Sequence, residues 1–177
     1  MERDPLDKVA GRRSVDYLLR NVHDQLVALT GQADLKASIV ITASSLVLSI
    51  SATQWDRDSL RPGLVFLAVG MLGALIGAIL AVMPKFRLKR ELRLEWPDGA
   101  NSLFFGDFTR VSERTWIEHM ASILESDEPL YEAVLRDLYQ QGDYLIRMKY
   151  RLLRIAYVSF LLAFLMMALA QLVAWMV

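Results

Sequence analysis

Three stretches of the chain contain no Asp, Glu, Lys or Arg, and they constrain the fold more than any other feature. They are residues 37–55, 62–84 and 155–177, with 19, 23 and 23 residues. About 20 apolar residues of α-helix cross the hydrocarbon core of a bilayer, so each stretch is long enough to span it. The apolar content of 54% also exceeds the roughly 45–50% of soluble domains. The sequence therefore predicts a mainly α membrane protein and excludes a soluble globular domain.

Basic residues are distributed unevenly around these spans. Ten Lys and Arg residues flank them on one side, whereas the short connector offers only Arg57 and Arg61, offset by two aspartates. Short loops rich in Lys and Arg stay in the cytoplasm. The predicted order is a cytoplasmic N-terminal helix, a first span, a periplasmic loop, a second span, a cytoplasmic sensor with a long helix, and a third span ending outside: 1–36, 37–55, 56–61, 62–84, 85–154 and 155–177.

Two long helices are predicted to continue from the first and third spans into the cytoplasm. Apolar residues recur at alternating steps of four and three in both, which is the spacing of a heptad face. We expect the two faces to pack together. The first face comprises Val15, Leu19, Val22, Leu26, Leu29 and Ala33, and the second Val134, Leu138, Leu145, Met148, Leu152 and Ile155.

The segment between these helices has a different pattern. Residues 85–96 alternate charged and apolar residues, which is typical of a strand. A turn signal at 97–99 and a possible return strand at 102–105 follow it. A short helix opening within 107–112 is then expected to present Trp116, Ile117, Met120 and Leu124. The sequence predicts a small α+β insertion, a hairpin plus a short helix.

Residues that carry catalysis are scarce. The chain has no Cys and two histidines, His23 and His119, which excludes thiolate metal sites and most histidine chemistry. There is no phosphate loop, nucleophile elbow or dinucleotide fingerprint. Twenty basic residues balance twenty acidic ones, so no bulk charge indicates a nucleic-acid partner. We predict a protein that is not an enzyme and that uses no metal or cofactor.

The insertion nevertheless holds a candidate binding pattern. Arg87, Arg90 and Arg93 precede Phe104 and Phe105 in the chain. Arginine can bind a phosphate with two donors, and an aromatic face can stack on a base. The alternatives are that the arginines serve as the positive-inside signal, with contacts to anionic headgroups, and that the phenylalanines belong to the core. The residues alone leave both interpretations open.

A stripe of hydroxyl side chains runs along one face of the first span. Its members are spaced by four, three, four and four residues. Small residues on the other two spans would let the helices approach closely. One interpretation is packing within a three-helix bundle; the other is self-assembly, with the stripe facing other subunits or water in an opened state. The stripe consists of Ser38, Thr42, Ser45, Ser49 and Thr53.

Three short motifs resemble the Pycsar transmembrane effector family, in the same order and over about residues 12–177. They are Ala33-Asp34-Leu35-Lys36-Ala37, Asn101-Ser102-Leu103-Phe104-Phe105-Gly106-Asp107 and Lys149-Tyr150-Arg151-Leu152-Leu153. The resemblance implies an effector in the bacterial inner membrane that responds to cyclic UMP or cyclic CMP from a partner pyrimidine cyclase. It further implies that membrane integrity is then lost, which kills the infected cell before phage matures. Our own hypothesis adds that the effector acts as a leaky homo-oligomer.

The resemblance also suggests site residues. Asn101, Phe104, Phe105 and Gly106 are carried over as candidate ligand contacts, and Asp34 and Lys36 as a hinge into the first span, beside the hydroxyl stripe as a gating candidate. The phosphate role of the three arginines is a separate inference from the residues. The alternative function is a non-enzymatic membrane scaffold, or a small channel subunit, that docks a cytoplasmic partner.

Overall fold

A computed structural model describes residues 12–83 and 93–176, and most of them are helical. A short π-helical segment joins the last two α-helices. The elements are α1 (Arg12–Thr53), α2 (Arg61–Val82), α3 (Phe105–Phe108), α4 (Glu113–Leu124), α5 (Asp127–Tyr144), the π-helical segment (Leu145–Tyr150) and α6 (Arg151–Met176).

The three predicted spans are confirmed as long apolar helices. α1, α2 and the helix that runs through α5 and α6 are each long and apolar enough to cross a membrane. Pro62 lies in the first turn of α2, where its missing N–H has no helical partner to lose. Together with the absence of charge from the three stretches, these helices identify a membrane protein.

The chain divides into two compact units. The loop-bearing unit comprises residues 1–28 and 85–143, and the span unit comprises residues 29–84 and 144–177. Their described parts are 12–28 with 93–143, and 29–83 with 144–176.

The span unit packs through small residues on α2 and α6, as the sequence predicted. A Cβ placed on Gly70 would lie 2.5 Å from the Cβ of Ala163, and one on Gly77 would lie 3.3 Å from that of Ala156. Without those atoms the helices approach closely enough to bury a core between them. Leu64, Leu67, Met71 and Ala163 form this core, with Val47 and Leu48 of α1 packed against it.

The heptad face of the C-terminal helix is confirmed up to Leu145, and beyond it Leu152 is partly buried while Met148 and Ile155 are wrong. The predicted Met148 and Ile155 are exposed, whereas Lys149, Leu153 and Ala156 face the interior. The π-helical segment explains this shift, because each of its turns takes up more than four residues instead of 3.6. The inner face therefore moves by one residue.

The N-terminal heptad face is confirmed except at Leu29, which is exposed while Thr30 is partly buried. Within the loop-bearing unit, this face packs on α5 as predicted. The hydroxyl of Tyr131 donates to Asp16 Oδ1 at 2.9 Å, and Leu26 lies beside Gly142.

The predicted hairpin is not supported. Residues 85–92 of its first strand lie outside the described residues, and Arg93 forms only an isolated bridge with Val111. The return strand at 102–105 is wrong, since residues 102–104 form a bend and Phe105 begins α3. The turn at 97–100 is confirmed: Gly99 has φ +74°, and the amide of Ala100 donates to Pro97 O at 3.2 Å. No strand occurs in 12–83 or 93–176.

The predicted short helix is confirmed as α4. Ser112 caps it by accepting from the amide of Thr115 at 3.1 Å, as N-terminal serines commonly do. Its predicted inner face is confirmed at Trp116 and Met120, which are partly buried, and wrong at Ile117 and Leu124, which are exposed while Ile123 is buried.

Candidate functional site

Asn101 holds the loop that carries the aromatic pair predicted as a ligand site. Its side chain is 2% exposed. Its Oδ1 accepts from the amides of Leu103 at 2.9 Å and Phe104 at 3.2 Å. This asparagine turn replaces strand pairing with a local bond, which is why the segment bends instead of extending.

The other half of the Asn101 side chain anchors the loop to α5. Its Nδ2 donates to Asp137 Oδ1 at 2.8 Å and to Gln140 Oε1 at 3.0 Å. The backbone N–H of Asn101 donates to Asp107 Oδ2 at 3.1 Å. Direct contact between this side chain and a ligand would require these bonds to open, so its geometry suits a positioning role.

Phe104 and Phe105 lie next to each other on the outside of this loop. Their ring centroids are 5.1 Å apart, and the residues are 40% and 48% exposed. Gly106 makes the arrangement possible, because a Cβ there would lie 2.3 Å from Cε1 of Phe104. The structure thus brings three of the predicted contacts together as an exposed aromatic surface, which we call the Phe platform (Phe104 and Phe105).

A second polar cluster supports the loop from the side of α4. The indole of Trp116 donates to Ser102 O at 3.1 Å, and His119 Nε2 lies 2.9 Å from Ser102 Oγ. The His119 ring stacks on Trp96 with centroids 4.1 Å apart. Burial lowers the pKa of His119 from its usual 6.5, which favours the neutral imidazole.

The three arginines predicted to bind phosphate are only partly placed. Arg87 and Arg90 lie outside the described residues. Arg93 is exposed, and its amide donates to Arg110 O at 2.8 Å. That bond places Arg93 beside the short loop between α3 and α4. The phosphate role stays a prediction.

The candidate hinge residues lie in the span unit, where an ion pair joins two of the sequence motifs. Lys149 Nζ donates to both carboxylate oxygens of Asp34, at 2.6 and 2.8 Å. Lys149 is in the π-helical segment and Asp34 in α1. The backbone carbonyl of Lys36 accepts a hydrogen bond from the hydroxyl of Tyr157 at 3.5 Å.

The hydroxyl stripe on α1 faces outward along its whole length. Its five members are exposed, and four of them donate to the backbone of their own helix. The buried hydroxyls of α1 are instead those of Ser44 and Ser51. Ser51 Oγ donates to Val47 O at 2.7 Å, whereas Ser44 Oγ has no hydrogen-bond partner. Packing within one chain therefore does not account for the stripe.

Several residues of these clusters were missed at the level of sequence. Lys149 stands out in the sequence only as a basic residue near a span and as the first residue of the third motif, and nothing in the sequence singles out Asp137 or Gln140. Their partners are 115, 36 and 39 residues away along the chain, so no local pattern connects them. Within the described parts of the chain, no group of His, Asp and Glu side chains is arranged to hold a metal ion.

Comparison with known proteins gives one informative result. No curated protein and no solved structure matches the chain significantly. A family model described as the Pycsar effector protein domain matches residues 18–176. The match covers α1 from its second turn to the end of α6, including all three motifs and both units. The chain therefore belongs to the Pycsar effector protein domain family, a family of anti-phage membrane effectors.

Proposed function

We propose that the protein is gated by a cyclic pyrimidine mononucleotide, cyclic UMP or cyclic CMP, supplied by a partner cyclase. On binding, it assembles into oligomers and compromises the inner membrane of the infected cell. The observation that carries this proposal is the Phe platform, two exposed rings on a loop fixed by Asn101. A rigid aromatic surface is suited to stack on a base, because little order has to be gained on binding.

The ligand step is tested by calorimetric titration of the detergent-solubilised protein with each nucleotide. Phe104→Ala and Phe105→Ala should each weaken binding by about tenfold or more, given roughly 1–3 kcal/mol for a stacked base. Tyr139→Ala is the matched control, since Tyr139 is an exposed aromatic residue elsewhere in the same unit. Unchanged affinity in both phenylalanine variants would remove the platform from the proposal.

The membrane step is tested with dye-filled liposomes that contain the wild-type protein. Addition of cyclic UMP or cyclic CMP should release the dye, and the nucleotide with the lower half-maximal concentration is the natural signal. Absence of release with either one would refute the gating. Selective currents without general leakage would instead favour the channel-subunit alternative.

Self-assembly is supported by the outward-facing hydroxyl stripe. Four of the five hydroxyls are already bonded to their own helix. The face can therefore pack against another copy with those groups satisfied, and the Ser45 hydroxyl can bond across the contact. Because the chain has no Cys, a single Ser45→Cys variant reports contact between copies through disulfide cross-linking. We expect cross-linked dimers to increase with nucleotide; Ile39→Cys, exposed outside the stripe, serves as the comparison.

The orientation of the chain is a further part of the proposal. An intracellular messenger requires that the loop-bearing unit face the cytoplasm, as the ten flanking basic residues favour. In the Cys-free background, Asp98→Cys should resist a membrane-impermeant thiol reagent in intact spheroplasts, and Asp58→Cys should react. The reverse pattern would place the platform out of reach of the messenger.

A further inference from the structure

Two alternative inner faces are available to the helix that contains Lys149. In a regular α-helix, residues seven apart share a face, so Leu145 would be followed by Leu152, with Met148 and Ile155 beside it. In the structure the π-helical segment takes up one more residue, and Leu145 is followed by Lys149, Leu153 and Ala156. Beyond residue 150 both faces are apolar. The sequence is therefore compatible with both registers there.

The two registers differ most at their first position. The π register presents the ammonium of Lys149, and the α register presents the thioether of Met148. Of the two groups, only the ammonium can donate hydrogen bonds to the carboxylate of Asp34, and it contacts both oxygens. The ammonium side of the pair is also shielded from water, because the Lys149 side chain is 12% exposed, whereas that of Asp34 is 44% exposed. Shielding strengthens the attraction and makes loss of one partner unfavourable.

We propose that the Asp34–Lys149 ion pair is a latch that holds the π register, and that the π register is the resting state of the effector. Opening the pair allows residues 145–150 to adopt the α register, which turns the inner face of α6 by one residue. That turn moves Ala156 and Ala163 away from the glycines of α2 on which they pack. A two-state element of this kind can be biased by a ligand or by a substitution. This inference rests on the proposed membrane-disrupting function.

Liposomes without any nucleotide provide the first test. Asp34→Asn leaves the more buried charge, Lys149, without its counter-ion, and Lys149→Met leaves the half-exposed Asp34. Both should raise basal dye release, Asp34→Asn by about tenfold or more and Lys149→Met by less. Arg136→Met is the matched control, because it breaks an exposed ion pair of similar length with Glu132, at 2.8 Å. The Arg136→Met control should show the same low basal dye release as the wild type.

Two further variants separate the latch from simple loss of stability. The charge exchange Asp34→Lys with Lys149→Asp should restore a low basal release. Deletion of Ile146, an exposed residue of the π-helical segment, lets a regular α-helix place Lys149 opposite Asp34. This variant should keep a low basal release and give no release with cyclic UMP or cyclic CMP, since no second register remains to be reached.

The outcomes distinguish the latch from the proposed function. If the wild type never releases dye with either nucleotide, the nucleotide gating fails, while basal release by Asp34→Asn still supports the latch. If both single variants are as tight as the wild type, or if the charge exchange leaks as much as they do, the latch is refuted. A deletion variant that responds to nucleotide like the wild type would also refute it.

Discussion

The two units of this chain bury their interiors by opposite means. The span unit buries mostly apolar and small residues and relies on missing side-chain atoms, so that Gly70 and Gly77 admit the backbone of α6. The loop-bearing unit buries a polar network centred on Asn101, whose hydrogen bonds specify one loop conformation. A close helix contact made by glycines is therefore most sensitive to substitutions that add side-chain volume. A buried polar network is most sensitive to substitutions that remove one hydrogen-bond partner.

The largest expected effect is overpacking of the span unit. In Gly70→Ala the new Cβ would lie 2.5 Å from Ala163 Cβ and 2.9 Å from its Cα, so the backbone must move, at about 3 kcal/mol. Gly73→Ala is the matched control on the same helix, since its Cβ meets only Ser159 at 3.6 Å. Unfolding by titration with a denaturing detergent, followed by circular dichroism, should separate the two. Equal stability of both variants would contradict the close approach of α2 and α6.

The next effect tests the polar network. Asn101→Ala leaves Asp137, Gln140 and two loop amides without their partner. We expect a loss of about 2–3 kcal/mol, because buried groups left unpaired are unfavourable. The amides of Leu103 and Phe104 should then exchange with deuterium faster. Asn21→Ala, an exposed substitution in the same unit, should change neither quantity. Unaltered exchange at the two amides would show that Asn101 does not hold the loop.

The span unit was largely predictable from sequence, and the site was not. A bilayer requires long uncharged helices, so three stretches without charge suffice to locate them, and glycines and alanines mark where helices meet. The π-helical segment had no such signal: the heptad spacing predicted Met148 inward, and only the distant Asp34 makes Lys149 the better choice. Alternation of charged and apolar residues suggested a hairpin, but the side chain of Asn101 offered the backbone a local partner that a strand pattern does not reveal.

A smaller effect of opposite sign is expected inside the span unit. Ser44 Oγ is buried without a partner, so Ser44→Ala removes an unsatisfied polar atom and should stabilise the unit by about 1 kcal/mol. Ser45 is the next residue and is exposed, so Ser45→Ala should leave the stability measured by the same detergent titration almost unchanged. A destabilised Ser44→Ala would mean that the hydroxyl has a partner in the membrane-embedded protein.

The smallest effect concerns pH and the loop-bearing unit. Burial lowers the pKa of His119 below 6.5, so in acid the unfolded chain takes up a proton before the folded one does. Stability should therefore be unaffected by this group well above pH 6.5, and should fall as the pH drops below that value until the folded state also binds the proton. Unfolding midpoints from tryptophan fluorescence between pH 7.5 and 5.5 measure this slope, and His119→Gln should reduce it. If the slope persists in His119→Gln, other groups carry it, and the stacking of His119 on Trp96 does not respond to protonation.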